Sequence, residues 1–224
     1  MSVGTTEFFV FPGAGSFGTE LRPLTRGLSK SARTVRYPGR FGDDPQSFAG
    51  TVRSCVAQVR EEPGPPVLVG HSFGAYLAYA TAGALEGSGA SVRALVVVGA
   101  TAPPLLTLPE SVTRSPSETA AYLSGVDPAA LPDESSEWRN VVVETALHDL
   151  RTLREFMSAD HPEVKCPVFA ARGEDDRLTS TEGIVEWSGL TTGGCAHRVF
   201  PGGHSDLLGA PEFARWARAG CGRP

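Results

Sequence analysis

Apolar residues in this chain fall in short, near-continuous runs set between stretches with helical spacing. Glu7-Phe8-Phe9-Val10-Phe11 predicts a strand, ended by Pro12-Gly13-Ala14-Gly15-Ser16. Leu21, Leu24 and Leu28 then recur as one face of a helix, which must take Pro23 into its first turn or break there. Thr34-Val35-Arg36-Tyr37 predicts a short strand closed by Pro38-Gly39, and Phe48, Val52, Val56 and Val59 keep helical spacing from Ser47 to about Arg60. Further strands are predicted at Val67–Val69, Val92–Val98, Cys166–Ala171 and Arg198–Phe200, with a closing helix over Pro211–Ala219. Near-continuous apolar strands alternating with helices predict an α/β fold, a mostly parallel sheet flanked by helices on both faces.

The stretch from about Thr101 to Glu163 breaks this rhythm. It carries seven prolines, its helical pieces (Thr119–Leu123 and Trp138–Met157) have no strand between them, and it is too long for a simple crossover. Placed after a strand, it would lie over the carboxyl edge of the sheet. We read it as a helical lid, about 101–163, inserted into one domain spanning 1–224.

The chemistry begins where the run Val67-Leu68-Val69 meets Gly70-His71-Ser72-Phe73-Gly74 and then a helical pattern. Strand, Gly-x-Ser-x-Gly and helix together form the nucleophile elbow of an α/β-hydrolase fold. A serine hydroxyl needs a base, and the base an orienting acid; in this fold they follow in the order serine, acid, histidine. Of His71, His148, His161, His197 and His204, only His204 follows the last strand, on a loop made pliable by Gly202-Gly203. His71 is too close to Ser72 in sequence to swing round to it, and His197 is expected before the last strand, at the wrong end. Asp176 is the chosen acid, fourth in a turn beginning at Gly173, with Asp175 as the alternative. Two backbone N–H groups must face the oxyanion. One is expected from Phe73 and the other from the loop after the first strand, at Ala14 or alternatively Gly13.

Composition narrows the surroundings of this chemistry. The 224 residues are 41% hydrophobic and 20% charged, with a formal net charge of −5. That balance argues against nucleic acid or an anionic membrane as partner. No apolar run reaches the length of a membrane span, and Met1–Glu7 lacks the pattern of a signal peptide. Cys55, Cys166, Cys195 and Cys221 are scattered and predict free thiols in a cytoplasmic protein. No metal-ligand spacing is present, and the Pro12–Ser16 loop lacks the lysine and spacing of a P-loop. Neither metal nor cofactor is expected, and a monomer is the default.

The residues together resemble the type II thioesterases, stand-alone hydrolases that accompany polyketide synthases and nonribosomal peptide synthetases. The resemblance rests on Phe11-Pro12-Gly13-Ala14-Gly15-Ser16, Tyr37-Pro38-Gly39-Arg40, Gly70–Ala75, Gly173–Asp176, Gly202-Gly203-His204 and the acidic-apolar pair Asp149-Leu150. Phe41, Ser16 and Ser205-Asp206 depart from the family's usual pattern, which bears on acyl preference. The resemblance implies hydrolysis of acyl thioesters from the phosphopantetheine arm of an acyl or peptidyl carrier protein, clearing stalled acyl groups through an acyl-serine. It also implies a docking patch for the carrier, for which Arg114, Arg139, Arg151 and Arg154 are candidates. A carboxylesterase or an acyltransferase would use the same triad, and a silent fold serving as a binding protein is the reading from another class.

Overall fold

Alternation within the first strand sorts its side chains onto the two faces of a sheet. Phe8 and Val10 turn to one side, Phe9 and Phe11 to the other, and all four are buried. This strand, β1 (Phe8–Phe11), belongs to a six-stranded sheet with β2 (Arg33–Thr34), β3 (Val67–His71), β4 (Ala94–Val98), β5 (Val168–Gly173) and β6 (Cys195–Phe200). The order is β2-β1-β3-β4-β5-β6 and every pairing is parallel. The computed structural model describes residues 7–40, 42, 44–127 and 130–221; Phe41 lies outside them.

Helices close both faces. On one, α1 (Arg22–Leu28) and α7 (Pro211–Cys221) bury Leu24, Leu28, Phe213 and Ala217 against Val67, Val69 and Val96. On the other lie α2 (Phe48–Arg60), α3 (Phe73–Gly87) and the second half of α5 (Glu137–Met157), with Val59, Leu77, Leu153 and Phe156 against Leu68 and Leu95. Each fully buried side chain of this size contributes about 1.5–3 kcal/mol through removal from water. Pro23 is accommodated in the first turn of α1, where its missing N–H costs nothing. Ser47 caps α2 by accepting from the Gly50 N–H at 3.2 Å.

Between β4 and β5 run two short 3-10 turns, α4 (Pro116–Val126) and α5, with no strand among the described residues. α5 belongs to two environments. Its first half packs with α4 in a small cluster of Leu123, Leu131, Val142, Val143 and Ala146. Its second half is part of the main core, with the Phe156 ring packed at a tilt 5.0 Å from that of Phe48 and 5.3 Å from that of Tyr76.

Several strand boundaries differ from the apolar pattern; β4 begins at Ala94 rather than Val92, and β5 at Val168 rather than Cys166. β2 stops at Thr34, because the Gln58 side chain takes over the backbone N–H and C=O of Arg36 and Tyr37 turns inward. β5 runs two residues further than its apolar run, to Gly173. β6 begins at Cys195, and His197 lies within it. As an edge strand its Ala196, His197, Arg198 and Val199 are exposed, so it carries little apolar signal.

Because β1 sits between β2 and β3, the chain leaves it to one side and returns on the other. That reversal opens a crevice at the carboxyl ends of β1 and β3. Phe11 pairs in register with Gly70, so the loop after β1 and the turn after β3 emerge side by side. Their approach is too close for side chains: a Cβ on Gly74 would meet the Phe11 and Pro12 carbonyl oxygens at 2.2 and 2.4 Å. We predict that Gly74→Ala unfolds or strongly destabilises the protein. Gly83, in the interior of α3 with open space around it, is the contrast. Gly83→Ala is predicted to add about 0.5–1 kcal/mol, read as a raised urea midpoint with unchanged slope.

Candidate active site

Ser72 stands between β3 and α3 with φ 52° and ψ −123°. Among the described residues it is the one non-glycine with positive φ. The turn is held by the Ser72 N–H donating to the Val98 carbonyl at 2.8 Å and by Gly70, where a Cβ would lie 2.4 Å from Ala75 Cα. A side chain in this conformation stands above the carboxyl edge, on the wall of a cavity of about 960 Å3.

Asp176 and His204, the expected acid and base, come from the loops after β5 and β6. The Asp176 N–H donates to the Gly173 carbonyl at 3.2 Å, closing the turn that directs its side chain inward. His204 Nδ1–H donates to Asp176 Oδ2 at 3.0 Å, and Asp176 Oδ1 accepts from the Leu178 N–H at 2.8 Å. Both side chains are buried. Asp175 and Glu174 point to solvent. The Asp175 N–H donates to the Gly202 carbonyl, and a Cβ on Gly173 would strike the Gly202 and Gly203 oxygens at 2.2 and 2.3 Å, so the two loops touch backbone to backbone. Arg172 adds a hydrogen bond from its guanidinium to the Asp176 carbonyl at 2.9 Å. Gly99, after β4, leaves the space occupied by the pair; a Cβ there would lie 3.0 Å from His204 Cε1.

Electrostatics favour the working protonation states. Burial opposes charge on Asp176. The His204 N–H and charge and the Leu178 N–H outweigh it, so the carboxyl lies below its ordinary value. With Asp176 ionised and accepting at Nδ1, the Nε2 lone pair of His204 is left to take a proton. Phe73 and Ala14 both line the cavity, and among the described residues neither N–H is bonded to a protein acceptor. Gly13 approaches Ser72 too, since a Cβ on it would lie 3.6 Å from Ser72 Cβ.

The other histidines are placed elsewhere. His148 contacts the Gln46 carbonyl, His161 stacks on Phe156, and His197 is exposed on β6. His71 has a structural task that the motif did not announce: its Nε2–H donates to the His204 carbonyl at 3.3 Å, bracing the base loop. Burial, and next the charge of His204, push its pKa down to about 3.

Two further residues escape a residue-by-residue reading. Asp149 of α5 and Arg40 form a buried ion pair at 2.6 Å beneath the loop after β1. Burial raises the Asp149 carboxyl above its ordinary value, against the pull of Arg40 and the Gly15 N–H. Both residues were visible only as parts of family motifs, because an isolated charge in a sequence reads as a solvated one. The arginines considered for docking have internal uses. Arg154 donates to the Leu108 and Pro109 carbonyls, Arg151 to Thr113 and Arg139 to Pro132, so three of the four tie down segments between β4 and β5.

Among the described residues no His, Cys, Asp and Glu cluster could hold a metal ion, and no helix is long and apolar enough to cross a membrane. The four cysteines are free.

An all-parallel sheet with a serine on a strained strand–helix turn, opposite a His–Asp pair, defines the α/β-hydrolase class. Within it, the chain belongs to the thioesterase family: the thioesterase domain matches residues 6–219. It is 29% identical over 204 residues to a probable cadicidin biosynthesis thioesterase of Streptomyces griseus, covering 87% of this chain and 56% of that protein. The thioesterase TesA of Mycobacterium leprae is 27% identical over 217 residues, 92% of this chain and 82% of TesA. Among solved structures, the type II thioesterase BorB from the borrelidin biosynthetic cluster superposes with a TM-score of 0.80 at 27% identity, covering 97% of this chain and 91% of BorB.

The buried, neutral His71 has a consequence for stability. Unfolded, it takes up a proton near its ordinary value of 6.5; folded, only near 3. The unfolded state therefore binds more protons between these values, and stability falls as pH drops through that window. His71→Gln, whose amide can keep the donor, is predicted to flatten the loss between pH 6.5 and about 4 in urea titrations. Equal slopes for the two proteins would place the proton uptake elsewhere.

Proposed function

We propose that this chain hydrolyses acyl thioesters carried on the phosphopantetheine arm of an acyl or peptidyl carrier protein, clearing stalled or aberrant acyl groups in polyketide or nonribosomal peptide assembly. The observation that carries the reading is the chamber beside Ser72, walled on one side by apolar side chains, in a chain of the thioesterase family. Tyr76, Leu105, Leu108, Leu123, Val142 and Leu153 are among the residues that line it. Such walls receive an acyl chain by burying its methylenes, each worth about 0.8 kcal/mol. The biosynthetic roles named for the relatives support the choice of a carrier-bound substrate.

In this reading Ser72 Oγ attacks the thioester carbonyl while His204 Nε2 takes its proton. The oxyanion forms against the Phe73 and Ala14 N–H groups. Collapse breaks the C–S bond, and the proton on His204 passes to the departing pantetheine thiolate. Water, deprotonated by His204, then attacks the acyl-serine, and the proton returns to Ser72 Oγ as the carboxylic acid leaves. A thiolate is a good leaving group, so the residues named here suffice without metal or cofactor, and the pantetheine belongs to the substrate. Asp176 holds the imidazole in the tautomer that accepts the proton and stabilises the cation that results.

Two measurements test this. One matched acyl group presented on a carrier protein, on a free pantetheine thiol and as an oxygen ester is predicted to turn over in that order of rate. Preference for the oxygen ester would keep the hydrolase and overturn the thioester assignment. Ser72→Ala is predicted to lower kcat by about 10⁴-fold or more while leaving the thermal midpoint unchanged or higher, since the side chain is not part of the core. Retained turnover would displace Ser72 as nucleophile.

A further inference from the structure

The loop that carries Ala14 is held by atoms far from it in sequence. Asp149 Oδ2 accepts from the Gly15 N–H at 2.8 Å and from Arg40 Nη2 at 2.6 Å. Arg40 Nε donates to the Ser16 carbonyl at 2.9 Å, and the Tyr37 hydroxyl donates to the Pro12 carbonyl at 3.0 Å. The guanidinium lies 4.7 Å over the Tyr37 ring and 5.9 Å from that of Phe17. Residues on both sides of Ala14 are thus pinned through their backbone atoms, and Ala14 keeps its own N–H unused.

Helix α5 presses on the same loop. Gly15 has φ 71°, and a Cβ there would meet the Val142 carbonyl at 2.8 Å and Ala146 Cβ at 2.9 Å. At the start of α5, Trp138 packs against Phe17 with ring centroids 4.6 Å apart. The loop therefore takes its position from α5, the helix that also walls the acyl chamber through Val142 and Leu153.

A buried ion pair is a poor source of net stability. Desolvation offsets most of the attraction, and apolar residues of similar volume often serve as well. What it supplies here is direction. Fixing the Gly15 N–H and the Ser16 carbonyl fixes the peptide planes on the far side of Ala14, while Tyr37 holds the near side at Pro12. A loop of two glycines would otherwise sample many orientations of the Ala14 N–H, and an oxyanion donor works through being aimed before the reaction begins.

We propose that Asp149 and Arg40 are positioning residues for the oxyanion hole, aiming the Ala14 N–H and making the hole conditional on the seating of α5. This rests on the reading of Ala14 as an oxyanion donor. It predicts a loss specific to the transition state. Asp149→Ala should lower kcat by about 10²-fold, the size of effect seen when one oxyanion donor is lost. Asp149→Asn, whose amide oxygen can accept the same two bonds, should recover most of it. Because Asp149→Ala strands Arg40 without its partner, the decisive variant is the double Arg40→Met/Asp149→Leu, which removes the clamp with apolar volume in its place.

The double variant is expected to keep a thermal midpoint near that of the wild type. It should also lose kcat, and affinity for a trifluoromethyl ketone analogue of the substrate, by about 10²-fold. Affinity for an unreactive thioether analogue should be unchanged. Wild-type kcat and ketone affinity in a folded double variant would overturn the proposal. So would equal losses for ketone and thioether, which report general damage to the pocket. Were the double variant not to fold, Arg40→Lys carries the test: it keeps the charge and loses the Nε bond to Ser16, and the same split between ketone and thioether is required. Replacing the Gly13–Ala14 amide by an ester, which deletes the Ala14 N–H, separates the two levels. If that change leaves kcat intact, the assignment of Ala14 falls; if it lowers kcat and the double variant does not, the positioning proposal falls alone.

Discussion

Everything at the active edge depends on one contact: the backbone of Gly74, at the start of α3, against the carbonyls of Phe11 and Pro12 at the end of β1. No Cβ fits there, the nearest oxygen being 2.2 Å from where one would sit. That absence lets the elbow and the loop after β1 share a single crevice, with Ser72, Phe73 and Ala14 on its walls. The strain of Ser72 at φ 52° is held by the same packing, through Gly70 on the strand side and Gly74 on the helix side. The same device recurs where Gly173 meets Gly202 and Gly203, bringing the acid loop to the base loop. In both places adjacent parallel strands deliver two loops to the same edge, and glycine lets the backbones meet.

Buried polar groups then set the directions that glycine leaves open. His204 is held at Nδ1 by Asp176 and at its backbone carbonyl by His71. Asp176 is held in turn by the Leu178 N–H, and its own carbonyl by Arg172. On the other side of the crevice Asp149 and Arg40 do the same for the Pro12–Ser16 loop. Each of these groups would be costly to leave unpaired away from water, so the arrangements in which all are paired are few. Positioning here comes from polar satisfaction laid over close backbone packing, while the apolar core supplies the stability on which both depend.

The helical segment between β4 and β5 joins these themes. Its longer helix joins the core in its second half, through Leu150, Leu153 and Phe156, and walls the chamber along both halves, through Trp138 and Val142 and again through Leu150 and Leu153. Asp149 lies in its second half, one residue before Leu150. The cavity wall and the loop that bears Ala14 thus share one helix, and Arg139, Arg151 and Arg154 secure the flanking segments by binding their carbonyls.

Much of this was legible beforehand. Runs of Phe, Val and Leu in parallel strands are buried on both faces, so β1, β3 and β4 announce themselves, and Gly-x-Ser-x-Gly between a strand and a helix carries its backbone geometry in its composition. The turn from Gly173 likewise singled out Asp176 over Asp175. β6 was half hidden, because an edge strand with exposed side chains has no apolar signature, and β2 was overestimated, because Gln58 satisfies Arg36 in place of a neighbouring strand. The partners of Arg40, Asp149 and His71 were out of reach altogether. Local pattern and chemical type are enough to place most strands and helices and to single out Ser72, Asp176 and His204 by their chemistry and their places after strands. Which charges are buried and whom they meet is set by the folding of distant segments onto one another: Arg40 and Asp149 stand 109 positions apart, and no local preference encodes such a contact.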